Sequence, residues 1–205
     1  MELNSMVVGP LGVNCYIISE KGNAVVVDPG GHSDEIIDFL ESNGLKPLAI
    51  VNTHGHFDHI GGVTALIEKY DIPFLLHKDD EFLCSHGAET SVMFGFDKMR
   101  NPQVTSYLED KAELDFEGIK ITVIHTPGHS PGGVALYLKD IKSVLTGDSL
   151  FLESVGRSDF PYASTEQLLK SIKDGLFTLP DDTKVYPGHG PASSIGHEKS
   201  YNPFL

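Results

Sequence analysis

Five of the ten histidines fall in three short loops, and each loop follows an apolar run. His54-Gly55-His56-Phe57-Asp58-His59 comes after residues 48–53, His129 after 119–125, and His189 after 184–186. A fourth loop, Gly147-Asp148-Ser149, supplies a carboxylate after residues 143–146. Imidazole and carboxylate donors without thiolate suit zinc, iron or manganese. One dication takes three or four such donors. The seven candidates, His54, His56, Asp58, His59, His129, Asp148 and His189, therefore fit two divalent cations that share one ligand. His54 and His56 are two apart in extended chain and point the same way, whereas Asp58 and His59 open the following helix and aim at a second point.

The elements that must carry these side chains repeat one pattern. Four times a β-rich run ends in a Gly- or Pro-containing loop that presents His or Asp. Strand ends of one sheet converge along an edge, and ligand sites collect there. Gly55, Gly128, Gly147 and Gly188 let the backbone turn tightly beneath a ligand.

Around them the hydrophobic pattern predicts an opening hairpin from runs 13–19 and 24–28. A helix follows, capped by Ser33, with Ile36, Ile37 and Leu40 on one face and Asn43-Gly44 as its stop. Residues 48–52 and 73–76 read as short strands, and Val63, Leu66, Ile67 and Tyr70 as the face of a helix between them. Residues 85–102 have no clear period and read as a long loop or irregular helix. Further strands are expected at 119–125, 134–138, 143–146 and 184–186. Ser164 and Gln167 form a capping box ahead of Leu168, Leu169, Ile172 and Leu176, with Pro180 beyond. Strands with interspersed helices and no break in composition predict one mixed α/β domain over residues 1–205.

The remaining polar residues carry weaker signals. Asp28, in Asp28-Pro29-Gly30, is a candidate outer-shell acceptor behind a ligand loop, or else a turn former. Arg157 either pairs with Asp159 or meets an anionic substrate. His77 and His125 end apolar runs and read as hydrogen-bonded groups; His32, His86 and His197 read as solvated. Met93, Phe94 and Phe96 either rim a pocket or belong to an ordinary packed insertion.

Composition narrows the function classes. Of the 205 residues 40% are hydrophobic and 21% charged, which supports a packed core. The net charge is −14, from 29 acids and 15 bases, and only Arg100 and Arg157 are arginines, a poor balance for nucleic acid. No apolar run approaches the roughly 20 residues that span a bilayer, so no membrane role is expected. The N-terminus lacks a basic stretch leading into an apolar segment, and Cys15 and Cys84 form no close pair. Both features lead to the expectation of a cytoplasmic protein.

With residues 54–59, His129, Asp148 and His189 in this order, the sequence resembles the metallo-β-lactamase superfamily, over nearly its whole length. The resemblance implies an αββα sandwich, two mixed β-sheets face to face with helices outside and metals at one edge. Within the superfamily the sequence looks most like short, single-domain glyoxalase II-like (hydroxyacylglutathione hydrolase-like) proteins, a likeness that includes Gly156-Arg157-Ser158-Asp159-Phe160-Pro161. That pattern implies a first metal on His54, His56 and His129, a second on Asp58, His59 and His189, and Asp148 as the bridge. It also implies two zinc ions, with iron or manganese as substitutes, and a small-molecule thioester attacked by a metal-bridging hydroxide. Asp58 and Asp148 would then be catalytic.

Persulfide dioxygenases resemble the same scaffold but use one iron, at positions matching His54, His129 and Asp148; lactonases are a further alternative. Full-length glyoxalase II adds a C-terminal helical region with basic residues for glutathione. This sequence ends 16 residues after His189, and whether glutathione is the carrier is left open. The oligomeric state is left open.

Overall fold

The computed structural model describes all 205 residues. The first half of the chain runs β1 (Glu2–Val8), β2 (Val13–Glu20), β3 (Asn23–Val27), α1 (Ser33–Ser42), β4 (Lys46–Val51), α2 (Phe57–Ile60), α3 (Val63–Tyr70), β5 (Phe74–His77), α4 (Glu81–Ser85) and α5 (Gly87–Met93). There follow β6 (Ser106–Leu108), β7 (Glu113–Phe116), β8 (Ile119–His125), β9 (Val134–Leu138), β10 (Ser143–Gly147), β11 (Leu150–Phe151) and β12 (Ser154–Val155). The chain closes with α6 (Thr165–Asp174), β13 (Lys184–Pro187), β14 (Ser193–Ser194) and α7 (Ile195–Tyr201).

Two six-stranded sheets result, ordered β1-β2-β3-β4-β5-β6 and β14-β13-β10-β9-β8-β7, with β11 and β12 as a small separate ribbon. Both sheets are mixed. In the first, β3, β4, β5 and β6 pair in parallel, and in the second β10 and β13 do. Alternation along the strands decides the layers. Ile18, Val25, Val27 and Val51 of the first sheet pack with Ile121, Val123, Leu136 and Leu145 of the second in a core between the sheets. Their sequence neighbours Ile17, Val26 and Ile50 face the other way, onto Ile36 and Leu40 of α1 and Val63 and Leu66 of α3. On the outer face of the second sheet, Ala135, Val144 and Val185 meet Leu168 and Ile172 of α6 and Ile195 of α7. Helix, sheet, sheet, helix is therefore the layer order, an αββα sandwich. Strands apolar on both faces are required wherever both faces are covered.

Several local expectations are corrected. β1 precedes the expected hairpin; it is an edge strand with exposed and polar positions, so its apolar signal is weak. His32, not Ser33, occupies the N-cap of α1, with φ 47° and no side-chain cap. Within residues 85–102 the helix alternative holds for α5 and the loop alternative for the remainder, and α4 precedes them as a second short helix. Asp58 and His59 lie in the separate single turn α2, not at the head of α3. β6, β7 and α7 were too short or too polar to register as periodic.

The α6 N-terminus is built as the capping signal predicts, with one change. Ser164 Oγ accepts from the Gln167 N–H at 3.3 Å. The Ser164 N–H donates not to Gln167 but to the carbonyl of Gly128, at 2.8 Å. Helix cap and His129 loop are thereby one unit, and Gly128 has φ 139° with a Cβ position only 2.3 Å from the Leu168 nitrogen. Only glycine lets this loop sit on the helix end. Replacing Ser164 by Ala is expected to lower unfolding stability by about 1 kcal/mol, the usual cost of a lost cap, with Ser164→Thr nearly neutral. Urea titration followed by circular dichroism checks this.

Candidate metal centre

The loops after β4, β8, β10 and β13 meet at one edge of the sandwich. His54, His56 and His129 bring one donor atom each within 4.8 Å of one another, and so do Asp58, His59 and His189. Asp148 stands between the two groups. Its Oδ2 is 3.6 Å from His129 Nε2 and 3.6 Å from His189 Nε2, and its Oδ1 is 3.5 Å from His59 Nε2. Asp58 Oδ2 lies 3.4 Å from His189 Nε2. All seven candidates are thus brought together, in two sets joined by one carboxylate.

The hydrogen-bond partners behind the rings fix which nitrogen faces inward. His129 Nδ1–H donates to the Arg157 carbonyl at 2.7 Å, which leaves Nε2 as an acceptor facing the centre. Thr53 Oγ1–H donates to Asp28 Oδ2 at 2.6 Å, so Thr53 Oγ1 in turn accepts from His54 Nδ1–H at 3.1 Å. His54 Nε2 is then a buried lone pair with no protein partner, and both His59 nitrogens and Asp148 Oδ1 are likewise buried without a hydrogen bond. His56 Nε2 meets the Tyr162 hydroxyl at 2.9 Å, and His56 Nδ1 lies 2.9 Å from His129 Nε2. Buried, unpartnered donor atoms aimed at common points fit a divalent cation at each set, because a buried polar atom otherwise loses its full desolvation cost.

Electrostatics agree with the geometry. Burial lowers His54 well below the usual imidazole range, and burial together with His129 lowers His56 to about 3, so both rings are neutral donors. Burial alone would lower His59 too, but the Asp148, Asp28 and Asp58 carboxylates outweigh it and raise the group. His189 is raised against its burial by Asp58 and Asp148. Burial pushes Asp148 and Asp58 up, yet the neighbouring histidines, His59 foremost, hold both below the ordinary carboxylate range. The field around His59 and His189 favours positive charge, whether a proton or a metal ion.

Three positioning residues stand outside the sequence motifs. Asp28 accepts from the Thr53 N–H at 2.7 Å and lies 3.1 Å from His59 Nδ1, so it stands behind His54, through Thr53, and behind His59. Asp80, fully buried, ties the His54–His59 loop to the His129 loop. Its Oδ2 accepts from Gly55 N–H at 3.0 Å and Ser130 Oγ–H at 2.7 Å, and its Oδ1 from Gly132 N–H at 2.6 Å. Asn14, on β2, donates from Nδ2 to the carbonyls of Pro187 and Gly190 at 3.0 and 2.9 Å, which fixes the His189 loop against the opposite sheet. Nothing near Asp80 or Asn14 in the sequence marks them, because their partners lie 25 to 176 residues away.

Gly128 and Gly147 take positive φ as the sequence suggested; Gly55 and Gly188 do not. Gly188 is required for space instead, since a Cβ there would lie 2.3 Å from Asp148 Oδ1 and 2.8 Å from His59 Cε1. Arg157 adopts the pairing alternative, a two-point ion pair with Asp159 at 3.0 and 3.1 Å. His77 and His125 stack 4.4 Å apart at 11°, away from the centre. With Asp79 they bring one donor atom each within 4.8 Å of one another, but His125 Nε2 meets the Pro131 carbonyl at 3.0 Å and His77 Nδ1 accepts from the Asp79 N–H at 3.3 Å. His197 pairs with Glu153 at 2.9 Å, and His86 Nδ1 meets the Phe82 carbonyl at 2.7 Å. Both cysteines are buried, with their thiols pushed up by burial.

This fold and this paired His/Asp centre are those of the metallo-beta-lactamase superfamily, whose sequence pattern matches residues 8–189; the chain belongs to that superfamily. Superfamily members bind divalent metals through such clusters. Among relatives, the chain is 38% identical to the probable metallo-hydrolase YqgX of Bacillus subtilis (strain 168), covering all of this chain and 98% of that one. It is 34% identical to the hydroxyacylglutathione hydrolase GloC of Haemophilus influenzae, over 94% of this chain and 92% of the other. The BLEG-1 B3 metallo-beta-lactamase crystal structure superposes with a TM-score of 0.93 at 35% identity, covering 100% and 99% of the two chains. TTHA1623, solved in a di-iron-bound form, gives 0.91 at 38%, covering 98% and 100%.

Because Asp80 holds two ligand loops at once, Asp80→Asn places an amide N–H against donors and is expected to weaken metal binding about 10–100-fold. Chelator competition against the wild type measures this, with circular dichroism confirming that the fold persists.

Proposed function

We propose that this chain is a two-metal hydrolase of thioesters, of the glyoxalase II-like type, with zinc as the resident metal. The observation that carries this reading is the pair of three-donor sets sharing Asp148, opening onto a cavity of about 770 Å³ that His56, Asp58, His129, Asp148 and His189 line. The similarity to GloC, over nearly the full length of both chains, supports a thioester as the bond attacked.

No free cysteine or serine faces the centre. Cys15 and Cys84 are buried thiols, Ser130 donates its hydroxyl to Asp80, and Ser149 donates its hydroxyl to Thr126 Oγ1 at 2.9 Å. Water is therefore the attacking group. Bound divalent cations supply Lewis acidity, which lowers the pKa of water and polarises a carbonyl oxygen. Asp148, held ionised and spanning both sets, fixes the spacing at which the two donor groups act on one substrate. Asp58 Oδ2, ionised and on the cavity wall, is placed to hold the proton of the attacking water and return it to the leaving sulfur. The carbon–oxygen bond forms as the carbon–sulfur bond breaks, giving a carboxylic acid and a thiol.

Purified chain is expected to carry about two metal ions by elemental analysis and to release thiol from thioesters, with activity lost on chelation and restored by zinc. Asp148→Ala should lower kcat/KM by more than the roughly 100-fold upper range for an outer-shell partner and reduce the metal count. One iron per chain with oxygen uptake on a persulfide, and no thiol release, would replace this reading by the dioxygenase one. Full turnover with Asp148→Ala would remove Asp148 from the scheme.

A further inference from the structure

The cavity over the metal centre is walled by hydrocarbon. Phe160 and Tyr162 stack at 15° with centroids 5.5 Å apart and form one side, with the edge of Phe82 against Tyr162. Phe57 packs on Phe94 at 5.5 Å on the other side, beside Met93 at the end of α5. Leu11, Phe82, Met93 and Phe94 all line this cavity and are 44%, 42%, 83% and 51% exposed. Large apolar side chains gathered in the open at one rim mark a binding surface, whereas scattered ones do not.

The same walls lack free positive charge. No lysine lines the cavity, and its lone arginine, Arg157, is held in the two-point pair with Asp159 while its guanidinium lies 4.7 Å from the Phe160 ring centre. The carboxylates on the wall are Asp58 and Asp148, both of which belong to the donor sets of the metal centre. A carrier thiol bearing carboxylates or phosphates finds no unpaired lysine or arginine on these walls. An aromatic or branched alkyl group finds ring faces and a thioether to cover it.

We infer that the group flanking the scissile bond is uncharged and apolar, an aryl or branched-alkyl thiol, and that glutathione-type anionic carriers are poor substrates. This specificity rests on the thioesterase reading above, and the test separates the two. Zinc-loaded enzyme is assayed with one acyl group, propionyl, on benzyl mercaptan and on glutathione. The benzyl thioester is expected to have the higher kcat/KM by at least about tenfold, the factor that roughly two buried methylene groups supply. Met93→Arg adds a cation at the rim and should narrow that ratio from both sides. Equal or better turnover of the glutathione thioester by the wild type overturns the inference and leaves the thioesterase reading standing.

If neither thioester is cleaved, the thioesterase reading falls. The cavity's preference is then read by calorimetric titration with the inert thioethers benzyl ethyl sulfide and S-ethylglutathione. Tighter binding of the former supports an apolar ligand class, and equal or tighter binding of the latter refutes it.

Discussion

Two imidazole nitrogens, His56 Nδ1 and His129 Nε2, face each other at 2.9 Å beside a third, unpartnered nitrogen on His54. A proton on His56 Nδ1 satisfies this pair as a hydrogen bond, and a cation among the three nitrogens satisfies all of them at once. Burial removes the water that would otherwise do so. Every nearby element serves to hold this arrangement. The rings cannot rotate away, because the far nitrogens of His129, His54 and His56 are tied to the Arg157 carbonyl, Thr53 and Tyr162. Outer partners of this kind set both the tautomer and the direction of a ligand.

The αββα architecture makes such convergence possible. A single sheet delivers loops in a row, but two sheets packed face to face bring the β4 loop of one against the β8, β10 and β13 loops of the other. The joins between sheets are polar and specific. The Val134 N–H donates to the Thr53 carbonyl at 2.8 Å, Asn14 and Tyr16 hold the Pro187 carbonyl, and Asp80 bridges the first and second ligand loops. Burial raises the Asp80 carboxyl, and the hydrogen bonds from Ser130, Gly132 and Gly55 oppose that rise. Three donors on one buried carboxylate make it a rigid strut rather than a surface charge.

Chemistry and selectivity come from different parts of the chain. The donor atoms sit on strand-end loops fixed by the sandwich, a general property of the superfamily. The cavity walls come from α4, α5 and residues 157–162, which lie over that edge without contributing a donor atom. Rigid donors beneath a separately built apolar mouth let one reaction be directed to different organic groups by changes in the mouth alone.

The ligand types and their loops were legible from the residues, because HxHxDH and the later His and Asp loops are local patterns with a chemical meaning. The strong strands and the α6 cap were legible for the same reason, since alternation and capping are local physics. β1, β6, β7 and α7 were not, being short or half exposed, and residues 81–93 hid two helices because neither is long enough to show a period. Asp80, Asn14 and Tyr162 could not be singled out at all, because each acts on a loop far away in sequence. Gly55 and Gly188 were read as turn formers, yet what they provide is room, for the Asp80 carbonyl at Gly55 and for the Asp148 and His59 side chains at Gly188. The sequence alone determined which atoms are available as donors. Only the packing of one sheet on the other decided which of them face one another, since direction and distance between remote loops are set by contacts that no local pattern encodes.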